Sequence, residues 1–589
     1  MDIFTMVVLR RRFEAIIGEM INALFKSGRS GVLNTAMDFS CSVTDSKFQS
    51  ISLAMGIPVH VGAIDLIPRV IAAKFGDDIK KGDCFVNNSG YLGNTHCADF
   101  TVCAPVFVDD AIAFYVIARA HLGDMGFPTP TTYGPRSRDV YEEGLMLPCV
   151  RIQKNYVDVP EVIDICKANI RVPEQFYGDY LAVLAAVRTG EARLTALCGK
   201  YGTDTVKNFV DEFQNYAERM ADQAIRTLPK GKVSKEAMYD SETDLYPDGI
   251  PIRATVEVDP DAGMITVDLR DNIDNLPLGI NMTEATTTAA CMTAVLNVLG
   301  ADVPRCTGSF RRVKLLLREG AAIGKPRFPA ATSAATTNLC HALIPHIQSM
   351  FAELRDDLGT AYGTIGLPAS CSVVSGADHR RGGAPFVNQV IMGYWGGPAL
   401  HGHDGWLTYG SGASQGILWQ SSVEVVEQQQ PVLVETLEVR EDSGGAGQWE
   451  GAPGAYCIIR PRQAPVRFMT TSASRQHPPA GVRGGHAGAP MLITRVTASG
   501  EHVSLPISAD ETLVPGDRLL SEGCGGGGFG NPLDRTPAAV LASFLAGRIS
   551  TARAHDVYGV VFAENGSDIT VDDAATQARR GHLREGIAR

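Results

Sequence analysis

The chain has 589 residues, 45% of them hydrophobic and 20% charged, so it can bury large cores without disulfide or metal staples. Its formal charge of -12, with no long basic run, argues against a nucleic-acid or anionic-membrane surface. The 13 cysteines form no CxxC pair, the N-terminus lacks the order of a secretory signal, and no stretch approaches the roughly 18–20 apolar residues of a spanning helix. A reduced, cytoplasmic protein with mostly buried thiols is the expectation.

In chain order, apolar residues recur at helical spacing over 4–27 (Phe4, Val7, Val8, Phe13, Ile16, Ile17, Met20, Ile21, Leu24), which predicts an amphipathic helix ended by "KSGRSG". "MDFSCSVTD" reads as a strand, and "GIPVHVGAIDLIPRVIAAKFGDD" as a loop, a helix and a turn. "CFVNNSGYLGNTHCADFTVCAPVFVDDAIAFYVIARAH" reads as a strand, a Gly/Asn-rich loop and two strands joined at "VDD". Residues 176–226 predict two or three helices, broken at Gly190 and near Gly202. Residues 252–272 predict a β-hairpin, and "TEATTTAACMTAVLNVLG" a helix of small residues. Beyond 360 the glycine density rises and short strands alternate with loops; 536–589 reads as a helical tail.

The whole predicts an α+β protein with mixed sheets. Its regions are an N-terminal α/β region (1–170), a helical segment (171–235), a second α/β region (236–360), a Gly-rich β-region (361–535) and the tail (536–589).

The chemistry-bearing residues concentrate near the N-terminus. His96 and Asp99 stand three apart in "GNTHCAD", and His121 ends an apolar strand. Asp38 opens another. Two imidazoles and two carboxylates form a mixed N/O set that suits Zn, Mn or Fe, provided the fold brings them together. The rival reading is a hydrogen-bonded histidine pair that fixes loops. "HGHDGW" offers His401, His403 and Asp404, whose Gly-rich setting favours a structural or pocket-lining role. "SEGCGGGGFGNPLDR" (521–535) lacks the Lys-Ser/Thr of a P-loop and is not expected to bind nucleotide; its glycines permit close backbone approach or an anion nest. No GxSxG occurs.

Taken in order, "MDFSCSVTD", "GIPVHVGAI", "NNSGYLGNTHCADFTVCAPVF", "EDSGGAGQWEGAPG" and "GCGGGGFGNPLDR" resemble the hydantoinase B family. That family takes in 5-oxoprolinase, N-methylhydantoinase and caprolactamase B subunits and the metal-bearing subunits of acetone and acetophenone carboxylases. The resemblance implies a divalent metal on Asp38, His96, Asp99 and His121. It also implies a hydantoinase A-type partner that binds ATP and Mg and phosphorylates the substrate; no ATPase signature occurs in this chain. The expected reaction is hydrolysis of a cyclic amide such as a lactam, hydantoin or 5-oxoproline-like ring, the alternatives being a ketone carboxylase subunit or a noncatalytic scaffold. Three departures stand out. Thr35 occupies the place of a usual Glu, Asn88 that of an acid, and "SQGILWQSS" replaces a His-rich stretch.

Overall fold

The protein is described by a computed structural model, which covers residues 1–52, 56–565 and 568–587. The fold is α+β, as expected. Its first sheet runs β1 (Phe39–Asp45), β4 (Ala111–His121), β3 (Asp99–Val108), β2 (Cys84–Asn87), β5 (Val150–Lys154), β6 (Val157–Asp158) in spatial order, with antiparallel pairing throughout.

Strand periodicity makes this sheet two-faced. Phe114, Val116, Ala118 and Ala120 of β4 point into a core shared with the helices Ile3–Ser27, Pro173–Tyr201 and Thr203–Arg226. Tyr115 and Ile117 point to the opposite side, where Val61, Ile64, Ile67 and Ile71 cover them. Arg119 and His121 continue that second row. The strand is therefore buried on both faces, and its polar end is buried with it.

The first helix follows its pattern closely. Asp2 caps it through the Thr5 N–H at 2.9 Å, and Leu9, Phe13, Ile16, Ile17, Met20, Ile21 and Leu24 form its buried stripe. The helix Pro173–Tyr201 corrects one expectation. It passes unbroken through Gly190 and stops only at Gly202. A Cβ at Gly190 would lie 2.6 Å from Met20 Sδ and 2.9 Å from a Val116 methyl, so this glycine lets helix, helix and sheet approach closely.

A second sheet orders β10 (Val313–Leu316), β9 (Met264–Asp268), β8 (Ile250–Asp259), β7 (Gly231–Tyr239), with β8 and β9 forming the expected hairpin. The helices Glu284–Leu299 and Leu339–Leu354 share its core. Two further sheets of four and five strands carry the C-terminal half. Between Pro537 and Ile587 a small hairpin, Phe562–Asn565 with Asp568–Val571, interrupts the helices; residues 588 and 589 of the tail lie outside the described residues. All 13 cysteines are free and buried. No helix among the described residues is long and apolar enough to cross a membrane.

The glycine run serves packing. Cβ atoms built on Gly526, Gly527 and Gly528 would lie 2.0 to 2.1 Å from the carbonyl oxygens of Gly397, Ala480 and Ala446. The N–H groups of these three glycines donate to Ala452, Tyr362 and His486 carbonyls at 2.9, 2.7 and 3.0 Å. With those donors consumed by backbone, the anion nest considered from sequence does not form here.

Candidate metal centre

Sheet register assembles the site. Asp99 and His121 are directly opposed in the β3–β4 ladder, and β1 pairs Phe39 with Ala120, which sets Asp38 beside His121. The His121 N–H donates to the Asp38 carbonyl at 3.0 Å. Asp38, His121 and Asp99 thus form a row across three adjacent strands. His96 reaches the row from the turn before β3, where the Asp99 N–H donates to the His96 carbonyl.

Side chains converge on Asp99 Oδ1. His96 Nε2 lies 3.1 Å away, His121 Nδ1 3.5 Å and His60 Nε2 3.5 Å, and His60 Nε2 stands 3.6 Å from Asp38 Oδ1. His96 Nε2 and His121 Nδ1 are 3.2 Å apart. Asp99 is 0% exposed, and its Oδ1 has no hydrogen-bond donor in geometry, whereas Thr95 serves Oδ2. One ligand atom each from His96, Asp99 and His121 fits within 4.8 Å of the others, close enough to share an ion. Of the four residues expected from sequence, His96, Asp99 and His121 form this group, while Asp38 lines the same chamber and meets it through His60. His401, His403 and Asp404 are elsewhere: His401 packs on Trp449, and Asp404 pairs with Arg535 at 2.6 Å.

Hydrogen bonds define the rings. A carbonyl only accepts, so the 2.6 Å contact of His96 Nδ1 with Ser333 O places a proton on Nδ1 and turns Nε2 toward Asp99. Ser40 Oγ accepts the Ile57 N–H at 2.9 Å, and its own proton suits His60 Nδ1 at 3.3 Å. Burial lowers the His60 pKa, against the opposing pull of Asp99 and Asp38. Burial also presses on His96, but there Asp99, the Ser333 carbonyl and Asp38 outweigh it and the net shift is upward. Burial likewise works against the Asp99 carboxylate, yet His60, His96 and His121 hold its pKa well below the usual range.

The cluster opens on a chamber of about 40 Å3, room for about three waters at roughly 10–15 Å3 each. Tyr133 roofs it, with ring centroids 5.2 Å from His121 and 6.0 Å from His96. Across the chamber stand His341 and Ser411, with His341 Nε2 3.0 Å from Ser411 Oγ.

Sequence reasoning passed over His60, Tyr133, His341 and Ser411. The only signal for His60 is a lone polar residue inside the apolar "GIPVHVGAI". Two of the departures touch one another: Thr35 Oγ1 lies 3.0 Å from Ser421 Oγ, within the segment that replaces the His-rich stretch. Asn88 is structural. Its amide donates to the Cys97 and Leu145 carbonyls at 2.8 and 2.9 Å, and its oxygen accepts the Leu147 N–H at 2.6 Å.

Comparison with known proteins concerns the chain as a whole. A family profile described as hydantoinase B/oxoprolinase matches residues 2–532. Caprolactamase subunit beta of Pseudomonas jessenii is 28% identical over 98% of this chain and 99% of its own length. A 5-oxoprolinase of Pestalotiopsis fici is 27% identical over 89% of this chain, which spans 41% of that longer protein. The crystal structure of the ATP-dependent caprolactamase from Pseudomonas jessenii superposes with a TM-score of 0.89 at 28% identity, covering 99% of this chain and 100% of that one. A nucleotide-free acetone carboxylase superposes at 0.87 over 99% and 83%; at 17% identity it shows the shared fold alone.

Proposed function

The chain belongs to the hydantoinase B/oxoprolinase family, and from that premise we propose that it is the B-type subunit of an ATP-dependent, hetero-oligomeric hydrolase of cyclic amides, holding a divalent ion (Zn, Mn or Fe) on Asp38, His96, Asp99 and His121. Its partner would be a hydantoinase A-type subunit that binds ATP and Mg and phosphorylates the substrate, in line with the ATP-dependent caprolactamase it resembles.

The observation that carries this reading is the orphaned Asp99 Oδ1, fully buried and ringed by nitrogen atoms of three histidines. A buried carboxylate oxygen without a donor is costly, and a cation relieves that cost. The mixed N/O donor set fits such an ion. When bound, a divalent ion supplies Lewis acidity, polarising a carbonyl and acidifying water.

The protein's own groups do the rest. The Ser333 carbonyl fixes the His96 tautomer, so Nε2 stays available as a donor atom. His60 stands with Nε2 between the two carboxylates and is placed to hold or pass a proton there, burial lowering its pKa against their pull. Tyr133 and the apolar side chains beside it line the chamber and would shield an activated ring from bulk water.

The test is ATP turnover by the chain with its native partner, on lactam, hydantoin and ketone panels, with and without bicarbonate. Bicarbonate-independent ring opening is expected, together with loss of turnover in an intact His96→Ala, His121→Ala complex. Carboxylated product formed from ketones only with bicarbonate would replace this reading with the carboxylase one. Full activity of the double variant would make the chain a scaffold.

A further inference from the structure

Besides the cluster, the chamber is lined by Ser411, Ala413 and Ser414 of one turn and by His341 of the helix Leu339–Leu354. Gly410 enters that turn at φ +74°, a conformation that strains any side chain. The Ser411 carbonyl accepts the Ser414 and Gln415 N–H groups at 3.2 and 2.8 Å, and the Ser411 N–H donates to Ser414 Oγ at 3.1 Å. A Cβ on Gly412 would lie 2.9 Å from Ile344 Cγ2, so this glycine lets the turn settle on the helix that carries His341. The packing sets Ser411 Oγ 3.0 Å from His341 Nε2, with the two residues only 1% and 3% exposed.

Burial keeps the His341 ring neutral, lowering its pKa to about 4. Its Nδ1 has no well-aligned partner, though the Gly366 carbonyl is near enough to pull that pKa upward. A proton on Nδ1 suits that carbonyl and leaves Nε2 as a lone pair, to which only the Ser411 hydroxyl can donate. The N–H groups of Gly412 and Ala413 find no acceptor among the described residues. They directly follow the serine, the place from which backbone donors serve a developing oxyanion in acyl transfer. A Ser–His pair kept only for packing would leave fewer such groups unsatisfied. We propose that Ser411 and His341 form a nucleophile–base dyad that takes acyl groups from small activated donors, acyl phosphates above all. In the first step a bond forms between Ser411 Oγ and the acyl carbon, while the bond from that carbon to the phosphate oxygen breaks and phosphate leaves with its electron pair. The hydroxyl proton passes through His341 Nε2 to the departing phosphate. Water, deprotonated through the same nitrogen, then opens the ester; Oγ recovers a proton, and a carboxylate and one proton are released. The dyad goes beyond the cyclic-amide reading and does not rest on it, since the reagents that test it hold no ring amide.

The experiment exposes the full chain to acetyl phosphate and, separately, to methanesulfonyl fluoride, both small enough to suit a small chamber. Peptide mass spectrometry follows the acetyl or sulfonyl group on Ser411, and release of acetate is measured beside it. Ser411 is expected to be modified ahead of the other serines. Ser411→Ala should abolish the label at that peptide, and His341→Gln should slow it by about 100-fold or more, the range of a lost general base. His341→Gln is matched to the parent by thermal melt, with His341→Asn in its place if it unfolds. Ser411→Cys, treated with methyl methanethiosulfonate, reports access independently. A reactive thiol in that variant beside an unmodified serine in the parent would show a reachable but inert hydroxyl and overturn the proposal. If neither group reacts, no acyl donor reaches the dyad and the proposal falls as well. Equal labelling rates in the parent and His341→Gln would make the pair a structural hydrogen bond. None of these outcomes bears on turnover of cyclic amides, so the two readings stand or fall separately.

Discussion

The Ser333 carbonyl accepts the Nδ1 proton of His96 at 2.6 Å, across a separation of 237 residues. That carbonyl is itself held in place. Glu143, buried in the same region, accepts the Thr332 and Ser333 N–H groups through one oxygen, each at 2.6 Å. Burial raises the Glu143 pKa to about 7, against the pull of those donors. Glu143 is thus a positioning residue, acting on His96 through the Thr332–Ser333 backbone.

Glu143→Ala should therefore lower the affinity of the cluster for a divalent ion by about 10- to 100-fold, the usual effect of losing a partner behind a ligating histidine. Glu143→Gln keeps an acceptor and should recover most of it. Ion titration followed by calorimetry checks both. Equal affinities for all three proteins would show that Ser333 holds His96 unaided.

His60 stands between Asp38 and Asp99, with Ser40 Oγ 3.3 Å from its Nδ1. His60→Phe should cut turnover by about 100-fold, in the range attributed to a lost proton carrier, while ion content stays near that of the parent. The readout is metal content beside steady-state kinetics. Loss of the ion in step with activity would make His60 a ligand instead.

Stability should fall on acidification through a histidine far from the chamber wall. His346 donates through Nε2 to the Lys235 carbonyl at 3.1 Å, and its Nδ1 lies 2.7 Å from the Tyr362 hydroxyl, which can serve the neutral ring as a donor. Burial takes its pKa to about 4, against about 6.5 in an unfolded chain. Between those values the unfolded chain binds more protons, so stability is lost as pH drops from about 6.5 to about 4. Denaturation midpoints at pH 7 and pH 5 should differ less in His346→Gln than in the parent. His341, similarly lowered by burial, keeps part of the slope in that variant.

Two glycines should respond oppositely to alanine. At Gly527 the new Cβ would meet the Ala480 carbonyl oxygen at 2.1 Å, a contact that only backbone movement relieves. Gly527→Ala should cost about 3 kcal/mol or more, the upper end of overpacking. Gly581 lies exposed in the helix Asp573–Ile587 with nothing within 4 Å of the added methyl. Gly581→Ala should stabilise that helix by roughly 0.5–1 kcal/mol. Thermal melts separate the two cases.

The row of Asp38, His121 and Asp99 was legible because strand periodicity and a resemblance in motif order both point to it. His60 was not. It sits in a helical turn of four residues, Pro58–Val61, too short for any periodic signal. Ser333 contributes a main-chain oxygen, which no side-chain pattern announces. Gly190 reads locally as a helix breaker, yet its role is set by Met20 and Val116, residues distant in sequence. The glycine run shows the same limit: composition gave freedom of conformation, and only the neighbouring carbonyls reveal that close packing uses it.

The chamber's walls run from Asp38 to Leu418, through strands, a helical turn and loops of separate sheets. A chain emerging from the ribosome would expose the cluster residues long before the segments that seal them. Until then His96, lacking Ser333, has no fixed tautomer, and the aspartates face water. Tight capture of an ion would be a late event in biogenesis. A nascent chain stalled before residue 333 should bind metal as loosely as an unfolded peptide, and the acquisition of an ion would mark the moment at which the two halves of the molecule have met.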